Sequence, residues 1–122
     1  MDSPVKGFSH VQLRVRDIDA SVAWYEVALG LVRQGTEPIA GAVPMFGAGG
    51  RFALVISGER PDPAGGEVDH LAFRVDGRDA LATWGEQLTA AGIGHAGLVE
   101  SGEGMSIHLV DPDGLNVELI AS

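Results

Sequence analysis

The sequence predicts an α+β fold in which two βαβββ modules form a curved, mixed sheet around a cleft. One observation is an internal repeat: residues 10–26 align with residues 70–86 at an offset of 60, and seven of the seventeen aligned pairs are identical. The other is the pattern inside each copy, where strict apolar alternation gives way to helical spacing. Because one such unit leaves a sheet face open, the two copies are expected to combine into one domain spanning residues 1–122.

A strand is predicted at the start of each copy. In HVQLRV (residues 10–15) every second residue is apolar, and HLAFRV (residues 70–75) repeats the pattern. Successive side chains of a strand point to opposite faces, so the apolar residues are expected to pack on helices. The opposite faces, which begin with His10 and His70, are unusually polar for a strand.

A helix is predicted after each of these strands. Apolar residues recur at helical spacing over residues 18–29 in the first copy and 81–88 in the second. Gly30 and Gly92 stand where the helices should end, since glycine accepts the left-handed conformation of a helix terminus. The candidate N-caps are acidic residues near each helix start: Asp17 or Asp19, and Asp76 or Asp79.

Three shorter strands are predicted to complete each module. Glycine and proline separate them, at residues 31–36, 42–46 and 51–57 in the first copy and at 94–99, 105–110 and 115–120 in the second. Residues 59–67, ERPDPAGGE, have the composition of a linker. Module one therefore covers about residues 1–60 and module two about residues 67–122, with the boundary near residue 62.

Charge and composition limit the classes of partner. The chain has 17 acidic and 8 basic residues, a formal charge of −9, so phosphate backbones and anionic membranes should be repelled. It has no stretch apolar enough to cross a bilayer and no recognisable signal peptide, so we expect a cytoplasmic protein that binds a small molecule, not nucleic acid or a membrane. It has no cysteine, so a bound metal would need nitrogen and oxygen ligands.

Three residues are candidate metal ligands. His10 and His70 occupy matching repeat positions on the polar strand faces, which should point into the cleft. Glu118 lies in the apolar run LNVELI, where an unpaired carboxylate would be costly to desolvate, so it should have a cationic partner. The alternative is that the histidines are ordinary strand residues and that Glu118 pairs with Arg14 or Arg74.

Two imidazoles and one carboxylate would leave coordination positions open for water or a substrate, as metal catalysis requires. A structural zinc site would normally have a fourth protein ligand. The repeat partner of Glu118 is Leu54 or Val55, neither of which can bind a metal. The donor set suits one divalent ion of iron, manganese, zinc, nickel or cobalt.

Two sequence motifs resemble those of a known superfamily. HVQLRV followed by Ser21 and the Trp24–Tyr25 pair resembles the opening of glyoxalase and bleomycin-resistance proteins, and VDPDGLNVEL resembles their closing hairpin. The likeness covers nearly the whole chain and identifies it with the vicinal oxygen chelate superfamily, which also includes extradiol dioxygenases. It implies a glyoxalase-like fold, metal ligands at His10, His70 and Glu118, and a homodimer.

Departures from the family patterns narrow the implied activities. Glyoxalase I and methylmalonyl-CoA epimerase generally use four protein ligands, and Leu54 or Val55 removes one. Fosfomycin-resistance enzymes have a threonine where this chain has Gln12. Extradiol dioxygenases have a tyrosine where this chain has His108, which is either an acid or base in catalysis or a surface histidine. His95, without a repeat partner, is expected in solvent.

The sequence therefore predicts a metal-dependent enzyme that acts on a small, oxygen-chelating organic substrate by lyase, isomerase or ring-cleaving dioxygenase chemistry. Glu118 and His108 are the candidate catalytic residues. The alternative is a bleomycin-resistance-like protein that binds a small molecule without catalysis. Met45, Phe46 and Phe52 either line the cleft or belong to the core, and the helical tryptophans at 24 and 84 are expected in the core.

Overall fold

The computed structural model describes residues 3–5, 7–35, 37–50, 52–60, 68–102 and 104–121. The chain divides into two compact units, residues 1–61 and 62–122. Each unit has one four-stranded mixed sheet and one long helix within its described residues, so the predicted α+β class with two βαβββ repeats is confirmed. That the two units enclose one cleft stays a prediction.

The first unit follows the order strand, helix, three strands. Its elements are β1 (His10–Arg14), α1 (Ile18–Ala28), β2 (Val32–Arg33), β3 (Ala42–Phe46), a short 3-10 helix (Ala48–Gly50) and β4 (Ala53–Ser57). The sheet order is β1-β4-β3-β2, with β1 parallel to β4 and the other pairs antiparallel.

The second unit repeats this plan. Its elements are β5 (His70–Arg74), α2 (Arg78–Ala90), β6 (Val99–Ser101), β7 (Gly104–Val110) and β8 (Asn116–Ala121). The sheet order is β5-β8-β7-β6, with β5 parallel to β8. The first strands of the two units keep the sequence offset of 60 residues, so the repeat found in the sequence is also a structural repeat.

Most predicted strands are present, but one is misplaced. The strand expected over residues 94–99 is wrong, because the backbone there is irregular and pairing begins only at Val99. Gly97 has a φ of 93°, which interrupts an extended run. The strand expected over 31–36 shortens to Val32–Arg33. Residues 36 and 51, from two predicted strands, and most of the predicted linker, residues 61–67, lie outside the described residues.

The apolar strand faces form the core of each unit, as the alternation predicts. The largest fully buried side chains are Val15, Tyr25, Val43, Met45, Leu54 and Ile56 in the first unit and Leu81, Leu88, Ile107, Leu109 and Val117 in the second. Met45 therefore belongs to the core and not to a cleft wall. The expectation of core tryptophans is corrected: Trp24 and Trp84 are only partly buried. Tyr25 is fully buried, and its ring makes a T-shaped contact with that of Trp24.

The helix ends show one correct and one incorrect cap prediction. Asp17 caps α1, where its carboxylate accepts a hydrogen bond from the Ala20 amide at 3.1 Å. The cap of α2 is Gly77, without a side-chain hydrogen bond, so neither Asp76 nor Asp79 has the expected role. Gly77 has a φ of 99°, a conformation that favours glycine over aspartate at this cap position. In the described part of the chain, no helix is long and apolar enough to cross a membrane.

Replacing Asp17 with alanine should lower the free energy of unfolding by about 1 kcal/mol, because the Ala20 amide would lose its acceptor. Urea unfolding followed by circular dichroism measures this loss. Asp76→Ala is the matched control, since α2 has no side-chain cap to lose, and it should have less than half the effect. Equal losses in the two variants would show that general helix electrostatics, not the cap, is responsible.

Candidate functional site

The second unit brings three of the predicted site residues onto one open sheet face. Glu118 on β8 pairs in register with Ala72 on β5 and with His108 on β7. Residues paired across strands present their side chains on the same face, as do residues two apart along a strand. Glu118, His108 and His70, which precedes Ala72 by two positions, therefore share this face.

A tight turn sets the register that places His108 opposite Glu118. In the DPDG segment between β7 and β8, the Asp111 carboxylate accepts hydrogen bonds from the amides of Asp113 (2.9 Å) and Leu115 (2.8 Å). Gly114 takes a φ of 89°, a conformation that glycine adopts without strain. The motif that carried the sequence resemblance thus has a structural role in aligning the last two strands.

His70 and Glu118 form the closest pair of candidate ligand atoms in this unit. His70 Nε2 lies 3.6 Å from Glu118 Oε2. The Glu118 side chain is only 17% exposed, whereas that of His70 is 46% exposed, so the carboxylate lies in the sheet surface and the imidazole leaves access to solvent. In its own unit, the partner of Glu118 is therefore His70 and not the predicted alternative, Arg74.

The other nitrogen of His70 is held by the preceding residue. His70 Nδ1 lies 2.9 Å from Asp69 Oδ2, and because a carboxylate oxygen accepts, Nδ1 carries the proton. In the neutral ring, the lone pair then belongs to Nε2, the atom that faces Glu118. Two electron-pair donors facing each other repel unless a proton or a metal cation lies between them.

The spacing of the two atoms and their chemistry fit a metal ion. Nitrogen and oxygen ligands at zinc bond lengths and tetrahedral angles are about 3.4 Å apart, close to the 3.6 Å seen between His70 and Glu118. A carboxylate bonded to the remote nitrogen of a histidine is also the usual partner of a metal-binding imidazole. Within the described ranges, no three histidine, aspartate or glutamate side chains are grouped to hold a metal. The full predicted set stays a prediction.

His108 is well placed to contact a molecule bound at this face. It is exposed, directly opposite Glu118, and its Nε2 lies 3.1 Å from the Ser106 hydroxyl. Ser106 is buried, and its hydroxyl also lies 3.5 Å from the Val99 carbonyl. This contact holds the ring beside the carboxylate, but a role in acid–base chemistry stays a prediction.

The first unit presents His10 on the equivalent open face. Its Nδ1 lies 3.0 Å from the hydroxyl of Ser9, the residue at the repeat position of Asp69. Each candidate histidine is thus contacted at Nδ1 by the side chain of the residue before it. Sequence reasoning missed both contacts, although a polar residue preceding each repeated histidine was a visible signal.

A pocket of about 350 Å³ lies beside His10 within the first unit. The described residues that line it are Ser9, His10, Pro44, Phe46, Gly50, Phe52, Ala53 and Val55. Phe46 and Phe52 therefore line a pocket of the first unit, and their place in a cleft between the units stays a prediction. Met45 points to the opposite side of β3 and is fully buried.

The sheet registers identify the repeat partners of the polar residues. In the second unit Glu118 pairs with Ala72, the third residue of its first strand, and in the first unit Gln12 pairs with Val55. Val55, not Leu54, is therefore the structural counterpart of Glu118. By the same reasoning Pro44, which pairs with Val55, is the counterpart of His108. The first unit thus has apolar groups where the second has its carboxylate and imidazole.

His95 is not the solvent-exposed residue that the sequence predicted. It is partly buried against α2, with Nε2 2.9 Å from the Gly85 carbonyl and Nδ1 accepting from the Gly97 amide at 3.0 Å. A side-chain carbon at Gly85 would lie 2.9 Å from Ile107 Cδ1, so glycine allows α2 to pack closely on β7 beside His95. His95 therefore has a structural role in the segment before β6.

The fold and the open-face histidines agree with the result of a family comparison. Residues 7–119 match the model of the Glyoxalase/Bleomycin resistance protein/Dioxygenase superfamily. The chain belongs to this superfamily, as the sequence resemblance indicated. A comparison with curated protein sequences gave no match.

Solved structures with the same fold cover nearly the whole chain. A glyoxylase/bleomycin resistance protein/dioxygenase domain from Frankia sp. EAN1pec is 25% identical, with a TM-score of 0.78 and coverage of 97% of this chain and 98% of that one. Lactoylglutathione lyase from Agrobacterium tumefaciens is 20% identical (TM-score 0.76, coverage 98% and 96%). The fosfomycin resistance protein FosX from Listeria monocytogenes, complexed with Mn(II) and sulfate, is 22% identical (TM-score 0.74, coverage 97% and 91%).

Replacing Asp69 with alanine should shift the neutral His70 ring toward the tautomer protonated at Nε2, because Nδ1–H would lose its acceptor. Nitrogen-15 NMR of the imidazole in metal-free protein reports which nitrogen carries the proton. Asp69→Asn keeps an oxygen acceptor and should preserve the original tautomer. An unchanged tautomer in the alanine variant would show that Asp69 does not orient the ring.

Proposed function

We propose that this protein is a metal-dependent enzyme that acts on a small organic substrate with neighbouring oxygen atoms. The observation that carries the proposal is the 3.6 Å approach of His70 Nε2 to a Glu118 carboxylate that is largely removed from solvent. Asp69 supports the proposal, because a carboxylate bonded to Nδ1 is the usual partner of a metal-binding imidazole. The reaction class is lyase, isomerase or ring-cleaving dioxygenase chemistry.

The proposed ligands are His10, His70 and Glu118. His10 lies in the first unit. Two observations support it as a ligand: it occupies the repeat position of His70, and Ser9 contacts its Nδ1 as Asp69 contacts Nδ1 of His70. Such a set suits iron, manganese, zinc, nickel or cobalt. When bound, the ion would supply Lewis-acid stabilisation of negative charge on the substrate oxygens.

The chain's own residues have distinct proposed roles in this reaction. Glu118 and His70 would hold the ion at the open face, while Asp69 fixes the His70 ring. His108 would take up or deliver a proton, since it is exposed, adjacent to Glu118 and held at Nε2 by Ser106. Its second ring nitrogen then exchanges the proton with the substrate, while Ser106 keeps the ring in place.

Glu118 has an apolar residue, Val55, at its repeat position in the first unit, and this residue helps to choose among the family's activities. Val55 provides no fourth ligand, so an activity resembling the four-ligand glyoxalase I enzymes is disfavoured despite the likeness in fold to a lactoylglutathione lyase. Three protein ligands leave more positions for substrate oxygens. The Mn(II) complex of the fosfomycin resistance protein makes Mn(II) a suitable first metal to test here.

A second candidate function is small-molecule binding without catalysis, as in bleomycin-resistance proteins. The aromatic pocket beside His10 favours it, since such a pocket can hold a ligand without a metal. The ligand-type contacts at His70 favour the enzyme, because a sequestering protein has no need of them. The proposal also includes a cytoplasmic location and a homodimer, the latter on the family resemblance.

Replacing Glu118 with glutamine should weaken Mn(II) binding more than about 100-fold, because a neutral amide is a poor ligand for a hard cation. This loss of affinity is larger than that expected for a residue that only contacts a ligand from outside. Isothermal titration calorimetry of metal-free protein with Mn(II) measures the affinity. Glu100→Gln, on the exposed edge strand β6 of the same sheet, is the control and should bind as the wild type does. Unchanged affinity in Glu118→Gln would rule out the ligand assignment.

Replacing His108 with phenylalanine should leave the metal content unchanged and reduce turnover about 100-fold or more, the range of general acid–base contributions. Elemental analysis gives the metal content, and the substrate is found by screening vicinal diols, hydroxyketones and epoxides with the wild type. His95→Gln serves as the control histidine away from the open face. Loss of metal from the phenylalanine variant would place His108 among the ligands instead.

A further inference from the structure

Arg74 is an unpaired cation on the open face of the second unit. It follows His70 and Ala72 at every second position of β5, so the three side chains share one face. The residue is exposed, and among the described residues its side chain forms no ion pair and no hydrogen bond. Acidic residues outnumber basic ones 17 to 8 in this chain, so a shortage of carboxylates does not explain the missing partner.

Glu118 is the carboxylate best placed to neutralise Arg74, but it faces another group. Glu118 pairs in register with Ala72, so Arg74 is its diagonal neighbour on the adjacent strand. Long side chains can reach across such a diagonal. Glu118 Oε2 instead lies 3.6 Å from His70 Nε2. The charge of Arg74 is therefore available to an anion that comes from outside the protein.

Ala72 leaves open space between His70 and Arg74. Its side chain ends at the β-carbon, and the residue is exposed. A separation of four residues along a strand spans about 13 Å, which is enough for a small organic molecule to lie between the two ends. The first unit has Gln12 at this position, and its Nε2 donates to Ser57 Oγ at 3.2 Å. A longer, anchored side chain thus occupies the place that is open in the second unit.

The chemistry of Arg74 indicates which anion fits. A guanidinium group is a planar fork of N–H donors that matches the two oxygens of a carboxylate. In the described strands of this sheet, Arg74 is the one lysine or arginine. A doubly charged phosphate would bring a second negative charge close to Glu118 without a second such cation to balance it. A carboxylate, with one negative charge, is therefore favoured.

We propose that Arg74 is a specificity-determining residue that binds a carboxylate group of the substrate. The molecule would lie over Ala72, with its carboxylate at Arg74 and its neighbouring oxygen atoms toward His70 and Glu118. The second of these contacts rests on the proposed function, whereas the first does not, and all four residues belong to the second unit. The substrate class is then a small organic acid that also carries neighbouring oxygen atoms. Arg74 selects this substrate and takes no part in the chemistry.

Two hydroxamates with the same oxygen-chelating head test the inference. Succinomonohydroxamate and butanohydroxamate differ only in a terminal carboxylate or methyl group, and calorimetry with the Mn(II)-loaded full chain compares their affinities. The carboxylate compound should bind about fivefold tighter at low salt, the upper range for an exposed ion pair, and high salt should reduce this preference. Equal affinities, or tighter binding of butanohydroxamate, would overturn the carboxylate site and leave the metal proposal standing.

Two arginine variants locate the source of the preference. Arg74→Gln should abolish it and leave butanohydroxamate binding unchanged. Arg78→Gln removes the same charge from an exposed residue at the start of α2, the helix that packs on the other face of the sheet, and should retain the preference. This control separates a local contact from the change in net charge. A preference that survives Arg74→Gln, or that falls equally in both variants, would overturn the inference.

A metal-free arm distinguishes failure of the carboxylate site from failure of the metal site. If the protein binds no Mn(II), metal-free protein is titrated with acetate while the arginine Nε–H signals are followed by NMR, with Arg74→Gln and Arg78→Gln used to assign them. A larger shift at Arg74 than at Arg78 would support the carboxylate site although the proposed metal function had failed. A shift at Arg74 no larger than that at Arg78 would overturn the site.

Discussion

The approach of His70 Nε2 to Glu118 Oε2 is the interaction on which the functional account depends. A carboxylate in an apolar strand needs a cation nearby, and in this unit the group that faces Glu118 is the His70 imidazole, whose Nε2 can share a proton or a metal ion with it. Asp69 on one side of the ring and the Asp111 turn at the end of β7 fix the two partners. Asp69 thus constrains the His70 ring, and the turn constrains the backbone position of Glu118.

The duplicated fold gives each unit the same scaffold and leaves its open face free to differ. The apolar faces of both sheets pack on their helices, so the residues that alternate with them are released from core packing. The second unit uses those positions for Glu118 and His108. The first uses them for Val55 and Pro44, which create an apolar pocket beside His10.

Much of this arrangement could be predicted from the sequence, because period-2 and helical spacing report directly on burial. The repeat predicted both first strands, and the terminal glycines predicted both helix ends. The strand register could not be predicted from the sequence, because choosing Val55 over Leu54 as the counterpart of Glu118 requires the pairing of β1 with β4. The misplaced strand before β6 and the role of His95 depend on tertiary contacts with α2, which leave no local pattern.

The most direct test of the account is anomalous diffraction from crystals of the full chain grown with Mn(II). The account predicts one manganese per chain, bound by His70 Nε2, Glu118 and His10, with remaining positions filled by solvent or buffer oxygen. A manganese bound without Glu118 or His70, or no manganese at a concentration that saturates a micromolar site, would contradict the central claim that this pair holds the metal.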